Sequence, residues 1–155
     1  MNSHHTVAIG TWEGDKQQSI EYNSSIAVGI DCPRAKLRVS ILLDTIQEYQ
    51  VRYIFSDEEI SEAVNEAGLI IGARGIAYEG VLQRKPVIVV GEYGFGGLVT
   101  PDTLHEQYNN YFRGKINGIK AEYFSLERLE EEIRRGFALT FQELQMMSNQ
   151  TIRFL

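Results

Sequence analysis

The sequence has few cysteines and prolines and no long apolar run, and each scarcity excludes a class of protein. Cys32 is the only cysteine, which excludes an intrachain disulfide and a cysteine zinc site and fits a reducing cytoplasm. The three prolines are scattered, so no proline-rich linker is present. No segment approaches the roughly 18 apolar residues of a transmembrane helix, and no secretory signal is visible. We therefore expect a cytoplasmic protein without a membrane span.

Positive charge and metal-binding residues are also scarce. The net charge of −6 argues against a nucleic-acid partner, because such binding depends on neutralising many phosphates. His4 and His5 stand in an N-terminus that we expect to be mobile, and no H-x-x-x-H pattern or carboxylate cluster is present. The sequence therefore predicts no bound metal.

Two nucleotide-binding motifs are absent as well. No G-x-G-x-x-G follows the first apolar run, which disfavours a Rossmann dinucleotide site, and there is no P-loop lysine motif. A chain of 155 residues with 43% hydrophobic and 23% charged residues is typical of one soluble globular domain. We expect that domain to span residues 1–155.

The stretch from Gly68 to Pro101 organises the rest of the chain. It holds two apolar runs, Leu69–Ile71 and Val87–Val90, separated by a glycine turn and a short amphipathic segment. Neither run alternates with polar residues, which is typical of parallel strands covered by helices on both faces. The pattern predicts an α/β, Rossmann-like three-layer domain whose ligands bind at the carboxyl ends of the strands.

A mostly parallel sheet of about six strands is expected, with connections in chain order. The remaining strands are assigned to Val7–Gly10, Ser25–Ile30, Val51–Phe55 and Ala121–Phe124. Between them, Leu37, Ile41, Leu42, Thr45, Ile46 and Tyr49 recur at helical spacing and predict one buried helix stripe. Thr100 and Pro101 predict a helix that runs to about Phe112.

The first candidate site is the turn Gly72-Ala73-Arg74-Gly75, which closes one strand and opens a helix at Ile76. Free backbone N–H groups and the positive end of the helix dipole favour an anion there. Glu79, about one turn further, is positioned to accept hydrogen bonds from a ribose diol. From spacing alone, a glycine-started helix with a solvated glutamate is the favoured reading.

The second candidate is the loop Gly91–Gly97, which has four glycines in seven residues. Glycine lets the backbone of Gly94, Phe95, Gly96 and Gly97 approach a ligand closely. His105, in the helix that follows, faces either phosphates or solvent. The cluster from Tyr108 to Lys115 either stacks on a base and pairs with phosphate, or packs on the sheet with basic tips in water.

Three segments together resemble a known family. Glu79-GVLQRK-Pro86-VIVV, GEYGFGGLVTPD and AVGIDCPRAKL, in an order that covers about residues 26 to 135, resemble the nucleotide-binding half of bacterial glycosyltransferases of the GT-B fold. The resemblance implies a nucleoside-diphosphate-sugar substrate, such as a UDP-sugar used in polysaccharide biosynthesis, with no separate cofactor. It implies that Glu79 holds the ribose, while Arg74, Gly75 and the Gly94–Gly97 loop surround the pyrophosphate.

The family also places basic residues in the loop after the first strand. Lys16 is the candidate for that phosphate contact here, and Trp12 stands where an arginine is usual. The resemblance assigns no catalytic residue in this chain. Since GT-B enzymes have two domains, we expect an N-terminal acceptor domain to be missing or separate, and little transferase activity from this chain alone.

Two other functions stay open. One is a non-catalytic binding or interaction module, favoured by the missing arginine and by Ile71, which occupies the place of a second carboxylate eight residues before Glu79. The other is a different nucleotide-sugar enzyme, such as an epimerase, which would require a pair of carboxylates in the crevice. The sequence names neither the base, the sugar nor the acceptor.

Overall fold

The structure is a computed structural model that describes residues 4–13, 16–115 and 118–154, with side chains described from Asn23 onward within those ranges. Its elements are, in order, β1 His4–Glu13, β2 Lys16–Asn23, β3 Ser25–Gly29, α1 Pro33–Thr45, β4 Gln50–Tyr53, a 3₁₀ turn Asp57–Glu59, α2 Ile60–Glu66, β5 Leu69–Gly72, α3 Gly75–Leu82, β6 Val87–Gly91, β7 Gly94–Leu98, α4 Leu104–Asn109, α5 Leu126–Phe137 and α6 Phe141–Phe154.

The main sheet has five strands in the order β4-β3-β5-β6-β7. The first four are parallel, and β7 runs antiparallel to β6. Helices cover both faces, so the predicted α/β, Rossmann-like three-layer class with a mostly parallel sheet is confirmed. None of the helices in the described ranges is long and apolar enough to cross a membrane.

Alternate residues of each central strand enter different cores. Leu69 and Ile71 pack in a cluster with residues of α1 and α5, whereas Ile70 packs in a second cluster with residues of α2, α3 and α6. All three are 0% exposed. A strand buried on both faces has no polar position, which explains the continuous apolar run in the sequence.

Val7–Gly10 lies in β1, but the expectation that it is the first strand of the parallel sheet is wrong. β1 pairs with β2 as an antiparallel, two-stranded sheet of its own. Only residues 14 and 15 separate the two strands, and a parallel pairing requires a crossover of about a dozen residues or more. The main sheet therefore has five strands and not six.

Ala121–Phe124 is also not a strand; it forms a turn between α4 and α5. Phe124 is buried and stacks on Phe95, with 4.7 Å between ring centroids. Its carbonyl oxygen accepts hydrogen bonds from the Arg38 guanidinium at 3.0 and 3.1 Å. The apolar pattern here reflects packing onto the sheet. The Arg38 side chain, and not a neighbouring strand, provides the hydrogen bonds to the Phe124 carbonyl group.

The glycine-rich segment predicted as a loop is mostly strand β7. A Cβ at Gly96 would lie 2.8 Å from Gln107 Oε1, and Gly94 and Gly97 have φ of +129° and +76°. These glycines permit close packing and left-handed backbone within a hairpin. The following helix is shorter than expected, because Thr100 and Thr103 bond each other's backbone N–H groups in a turn before α4.

A buried carboxylate joins α5 to the edge of the sheet. Glu132 is 2% exposed, and its Oε1 accepts from the Leu98 N–H at 3.4 Å. Its oxygens also pair with Arg128 Nη2 at 3.3 Å and Arg135 Nη1 at 2.7 Å. Both arginines are partly exposed to solvent, so the Glu132 carboxylate is the most strongly desolvated of the three charged groups.

Replacing Glu132 with alanine is expected to lower the free energy of unfolding by about 2–4 kcal/mol, because it leaves a buried N–H without an acceptor and a cavity beside it. Urea denaturation followed by circular dichroism measures this. The matched control is Glu131→Ala on the exposed side of the same helix, expected within about 0.5 kcal/mol of the unsubstituted chain. Equal losses in the two variants would contradict an anchoring role for Glu132.

Candidate functional site

A cleft of about 650 Å³ lies at the carboxyl ends of the four parallel strands. Each strand contributes the residues that directly follow it, as expected where parallel strands end at one edge of an open sheet. The lining residues are Gly29, Ile30, Asp31, Cys32, Ile54, Phe55, Ser56, Asp57, Ile60, Ala73, Arg74, Gly75, Ile76, Val90, Gly91, Glu92 and Tyr111.

Arg74 occupies the centre of the cleft in a backbone conformation that side chains rarely adopt. Its φ is 58° and its ψ is −127°, a region that glycine populates readily and other residues avoid. The Arg74 N–H donates a 3.0 Å hydrogen bond to the Phe112 carbonyl oxygen, which helps to hold this conformation. Strained residues of this kind cluster at ligand sites.

The Arg74 guanidinium bridges carboxylates from two other strands. Its Nη1 lies 3.6 Å from Asp31 Oδ2, after β3, and its Nε lies 3.9 Å from Glu92 Oε1, after β6. Arg113 Nε approaches the same Glu92 oxygen at 3.3 Å. The groups are partly or largely exposed, so each pairing is weak and open to exchange with a ligand.

Gly75 begins α3, and the packing around it does not require glycine at this position. A Cβ there would meet only Ile60 Cδ1, at 3.9 Å. By contrast, a Cβ at Gly72 would lie 2.5 Å from the Gly29 carbonyl oxygen, and one at Gly91 would lie 2.4 Å from the Arg113 carbonyl oxygen. Gly72 and Gly91 are required by the fold, whereas Gly75 leaves space above the first turn of a helix.

Among the candidate ligand-binding residues whose side chains are described, two, Arg74 and Gly75, line the cleft. Glu79 lies one turn further along α3, outside the lining, and its Oε1 accepts a 2.9 Å hydrogen bond from Gln83 Nε2. The same Gln83 nitrogen donates to the Ser61 carbonyl oxygen at 3.2 Å. Glu79 therefore faces α2 in this conformation.

The other candidates lie elsewhere. Gly94–Gly97 belongs to β7, and Phe95 is buried in the core beneath α5. His105 is exposed on α4, with its ring 5.8 Å from that of Phe154. The side chain of Lys16 lies outside the described residues, so its predicted phosphate contact stays a prediction.

The side chains of Phe55, Asp31 and Glu92 were not singled out from the sequence, whereas Tyr111 belongs to the cluster from Tyr108 to Lys115, for which base stacking and packing on the sheet were both left open. Phe55 is 77% exposed and Tyr111 is 44% exposed, and both line the cleft with Asp31 and Glu92. The sequence places Phe55 at the end of a strand, whereas strand β4 ends at Tyr53. The position of these cleft residues in the sequence is the signal that could have identified them, since all but Tyr111 closely follow the end of a parallel strand.

Neither a metal centre nor a known relative adds to this picture. No group of three or more His, Cys, Asp or Glu side chains in the described part of the chain is arranged to hold a metal ion. Comparison with known protein families, with curated proteins and with solved structures finds no match. Chemical interpretation of the cleft therefore rests on its own geometry.

The strain at Arg74 predicts an unusual order of stability. We expect Arg74→Gly to be more stable than Arg74→Ala by about 1 kcal/mol, because both lose the guanidinium but only glycine relaxes in this backbone region. Thermal and urea denaturation of the two variants measure the difference. Arg134→Gly and Arg134→Ala, within helix α5, are the matched controls and should show the opposite order.

Proposed function

We propose that the cleft binds a nucleoside diphosphate sugar and that this chain is the donor-binding half of a glycosyltransferase. The observation that carries the proposal is the open space at Gly75, beside the guanidinium of Arg74 and at the start of α3. Backbone N–H groups of the first helical turn lack intrahelical acceptors and favour an anion. A diphosphate supplies oxygens for both the N–H groups and the arginine.

Arg74 would then exchange its partners on binding. Its present pairings with Asp31 and Glu92 span 3.6 and 3.9 Å and are solvated. A bidentate contact with phosphate is stronger than such surface pairs, since a guanidinium matches two phosphate oxygens at once. In this proposal Arg74 therefore lies beside the anion site and stays partly exposed to solvent until the ligand binds.

In this proposal Glu79 accepts hydrogen bonds from the ribose hydroxyls after releasing Gln83. The helix dipole and Arg74 stabilise negative charge that develops on the departing diphosphate, which is electrostatic catalysis. The acceptor site and any catalytic base come from a separate domain. The resemblance of the sequence to GT-B donor domains supports this division of roles.

A non-catalytic interaction module is the second candidate, and the acidity of the cleft favours it. Among the residues that line the cleft, three carboxylates, Asp31, Asp57 and Glu92, accompany one arginine. Such a balance weakens the attraction of the cleft for a dianionic ligand. Nucleotide binding decides between the two functions.

Calorimetric titration with UDP, GDP and ADP tests the donor site. We expect one nucleotide to bind, and Gly75→Ala to weaken it about tenfold or more, because the added methyl group occupies the space above the helix start. The same substitution should leave the free energy of unfolding unchanged or raise it by about 0.5–1 kcal/mol, since alanine favours a helix. Failure of the intact, folded chain to bind any of the three nucleotides would support the interaction module instead.

The role of Glu79 is tested by pairing a variant with an altered ligand. If its carboxylate accepts from the ribose, Glu79→Ala and removal of the ribose 2′-hydroxyl should each weaken binding about tenfold, and combining them should cost little more than either alone. Isothermal titration with the ribo- and 2′-deoxyribonucleotide measures the four affinities. Glu62→Ala on α2 removes an exposed carboxylate and is the control; additive losses for Glu79 would contradict a contact with that hydroxyl.

A further inference from the structure

We infer that Tyr111 contacts the sugar of the bound nucleotide sugar, and so is a residue that determines sugar specificity. This inference rests on the proposed function and assigns the orientation of the ligand in the cleft. It is carried by the backbone at Tyr111, by the side chains around its ring and by a second exposed aromatic residue at the far end of the same cleft.

The backbone at Tyr111 is held in an unusual conformation that directs the residue to the cleft. Tyr111 and Phe112 are consecutive non-glycine residues with φ of 56° and 54°, in the left-handed region. Phe112 is 0% exposed and anchors the corner in the core, and its N–H donates to the Gln107 carbonyl oxygen at 2.8 Å. The rest of the fold stabilises this strained backbone, and the strained backbone positions Tyr111 on the wall of the cleft.

The Tyr111 ring is supported on one side and exposed on another. Its centroid lies 6.2 Å from that of Tyr78, at an interplanar angle of 43°, and Tyr78 in turn contacts Tyr108 at 6.5 Å. Desolvation raises the pKa of the Tyr78 hydroxyl, and the neighbouring Tyr108 and Tyr111 raise it further. Tyr111 itself remains 44% exposed. Because neighbouring side chains already restrict the Tyr111 ring, it loses little conformational entropy when a ligand packs against it.

The same corner fixes Tyr111 relative to the phosphate position. The Phe112 carbonyl oxygen accepts from the Arg74 N–H at 3.0 Å, so the residue after Tyr111 is bonded to the backbone at the anion site. A ligand group that packs on Tyr111 would therefore lie close to the proposed phosphate position.

The opposite end of the cleft carries a different aromatic residue. Phe55 follows β4, is 77% exposed, and lies under Lys36 Nζ, which is 4.1 Å from the ring centroid. β4 and β6 are separated by three strand spacings, about 14 Å in total. Two exposed rings with an arginine between them fit a ligand made of ring, diphosphate and ring.

Polar groups distinguish the two ends. Near Tyr111, the Glu92 carboxylate lies 3.3 Å from Arg113 Nε, and Arg113 Nη1 donates to the Tyr93 hydroxyl at 3.2 Å. Carboxylate and guanidinium groups bond sugar hydroxyls, while the electron-rich face of a tyrosine attracts the weakly positive C–H groups of a sugar ring. Phe55 has no hydroxyl, and apart from the Lys36 ammonium over one face its ring offers an apolar surface suited to a base. The geometry therefore places the sugar at Tyr111 and the base at Phe55.

The test compares each nucleotide with its sugar conjugate. Affinities of UDP, GDP and ADP and of UDP-glucose, GDP-mannose and ADP-glucose are measured by titration calorimetry for the intact chain, Tyr111→Asn and Tyr111→Phe. Asparagine tolerates the left-handed backbone and removes the ring. We expect Tyr111→Asn to weaken the sugar conjugate about 5- to 30-fold and to change the affinity of the free diphosphate less than about twofold. Tyr111→Phe, which keeps the ring, should retain the affinity for the conjugate within about threefold.

Tyr123→Ala is the matched control, since Tyr123 is 67% exposed and lies outside the cleft. Equal weakening of diphosphate and conjugate by Tyr111→Asn would overturn the inference by placing the nucleotide at Tyr111. Unchanged affinity for both, in a variant with the thermal stability of the intact chain, would overturn it by excluding contact. Binding of the free diphosphates by the intact chain tests the proposed function separately: if none binds, both proposals fail, and if one binds, only the sugar contact is in question.

Discussion

Burial of strand β5 on both faces is the constraint on which the rest of the structure depends. Its residues Leu69, Ile70 and Ile71 are 0% exposed, and it pairs in parallel with β3 on one side and β6 on the other. Parallel pairing brings the carboxyl ends of these strands to one edge, and burial requires helices on both faces. The cleft is a consequence of that arrangement, because each strand must turn there to enter the next helix or turn.

A single backbone hydrogen bond organises the centre of the cleft. The bond from the Arg74 N–H to the Phe112 carbonyl oxygen connects the turn before α3 to the corner after α4. Arg74 and Phe112 both have positive φ, and this bond is one of the contacts that hold these strained segments in place. The residues proposed to contact the phosphate and the sugar, Arg74 and Tyr111, are therefore connected through this backbone hydrogen bond.

The sequence predicted the fold where local pattern and burial agree. The apolar runs of β5 and β6 and the start of α3 are found as expected, and Ser125 caps α5 through its bond to the Arg128 N–H. Periodicity was right only in part for α1: Leu42 is buried as predicted, but Leu37 and Ile41 are 62% and 51% exposed, and Val39 and Leu43 are buried instead. Two apolar stripes compete on that helix, and only the orientation of the sheet beneath it selects between them.

The candidate site was predicted in part. Arg74 and Gly75 adjoin a strand end and a helix start, so local rules placed them in the cleft. Tyr111 lies far from any strand end in the sequence, and its position depends on a long-range hydrogen bond and on the burial of Phe112. The glycines of β7 were predicted to form a loop near a ligand, but glycine permits close contact with other parts of the protein as readily as with a ligand.

The contact between Gly97 and Glu132 has a consequence for how this protein can diverge. A Cβ at position 97 would lie 2.7 Å from Glu132 Oε1, the same oxygen that accepts from the Leu98 N–H. A side chain at 97 would require the Glu132 carboxylate to move, although 35 positions separate the two residues (132 minus 97), and the φ of +76° at 97 strains any residue other than glycine. In divergent sequences that keep this fold, we expect a change at position 97 to accompany a change at position 132, and retention of the glycine with the glutamate to accompany the same attachment of α5 to β7.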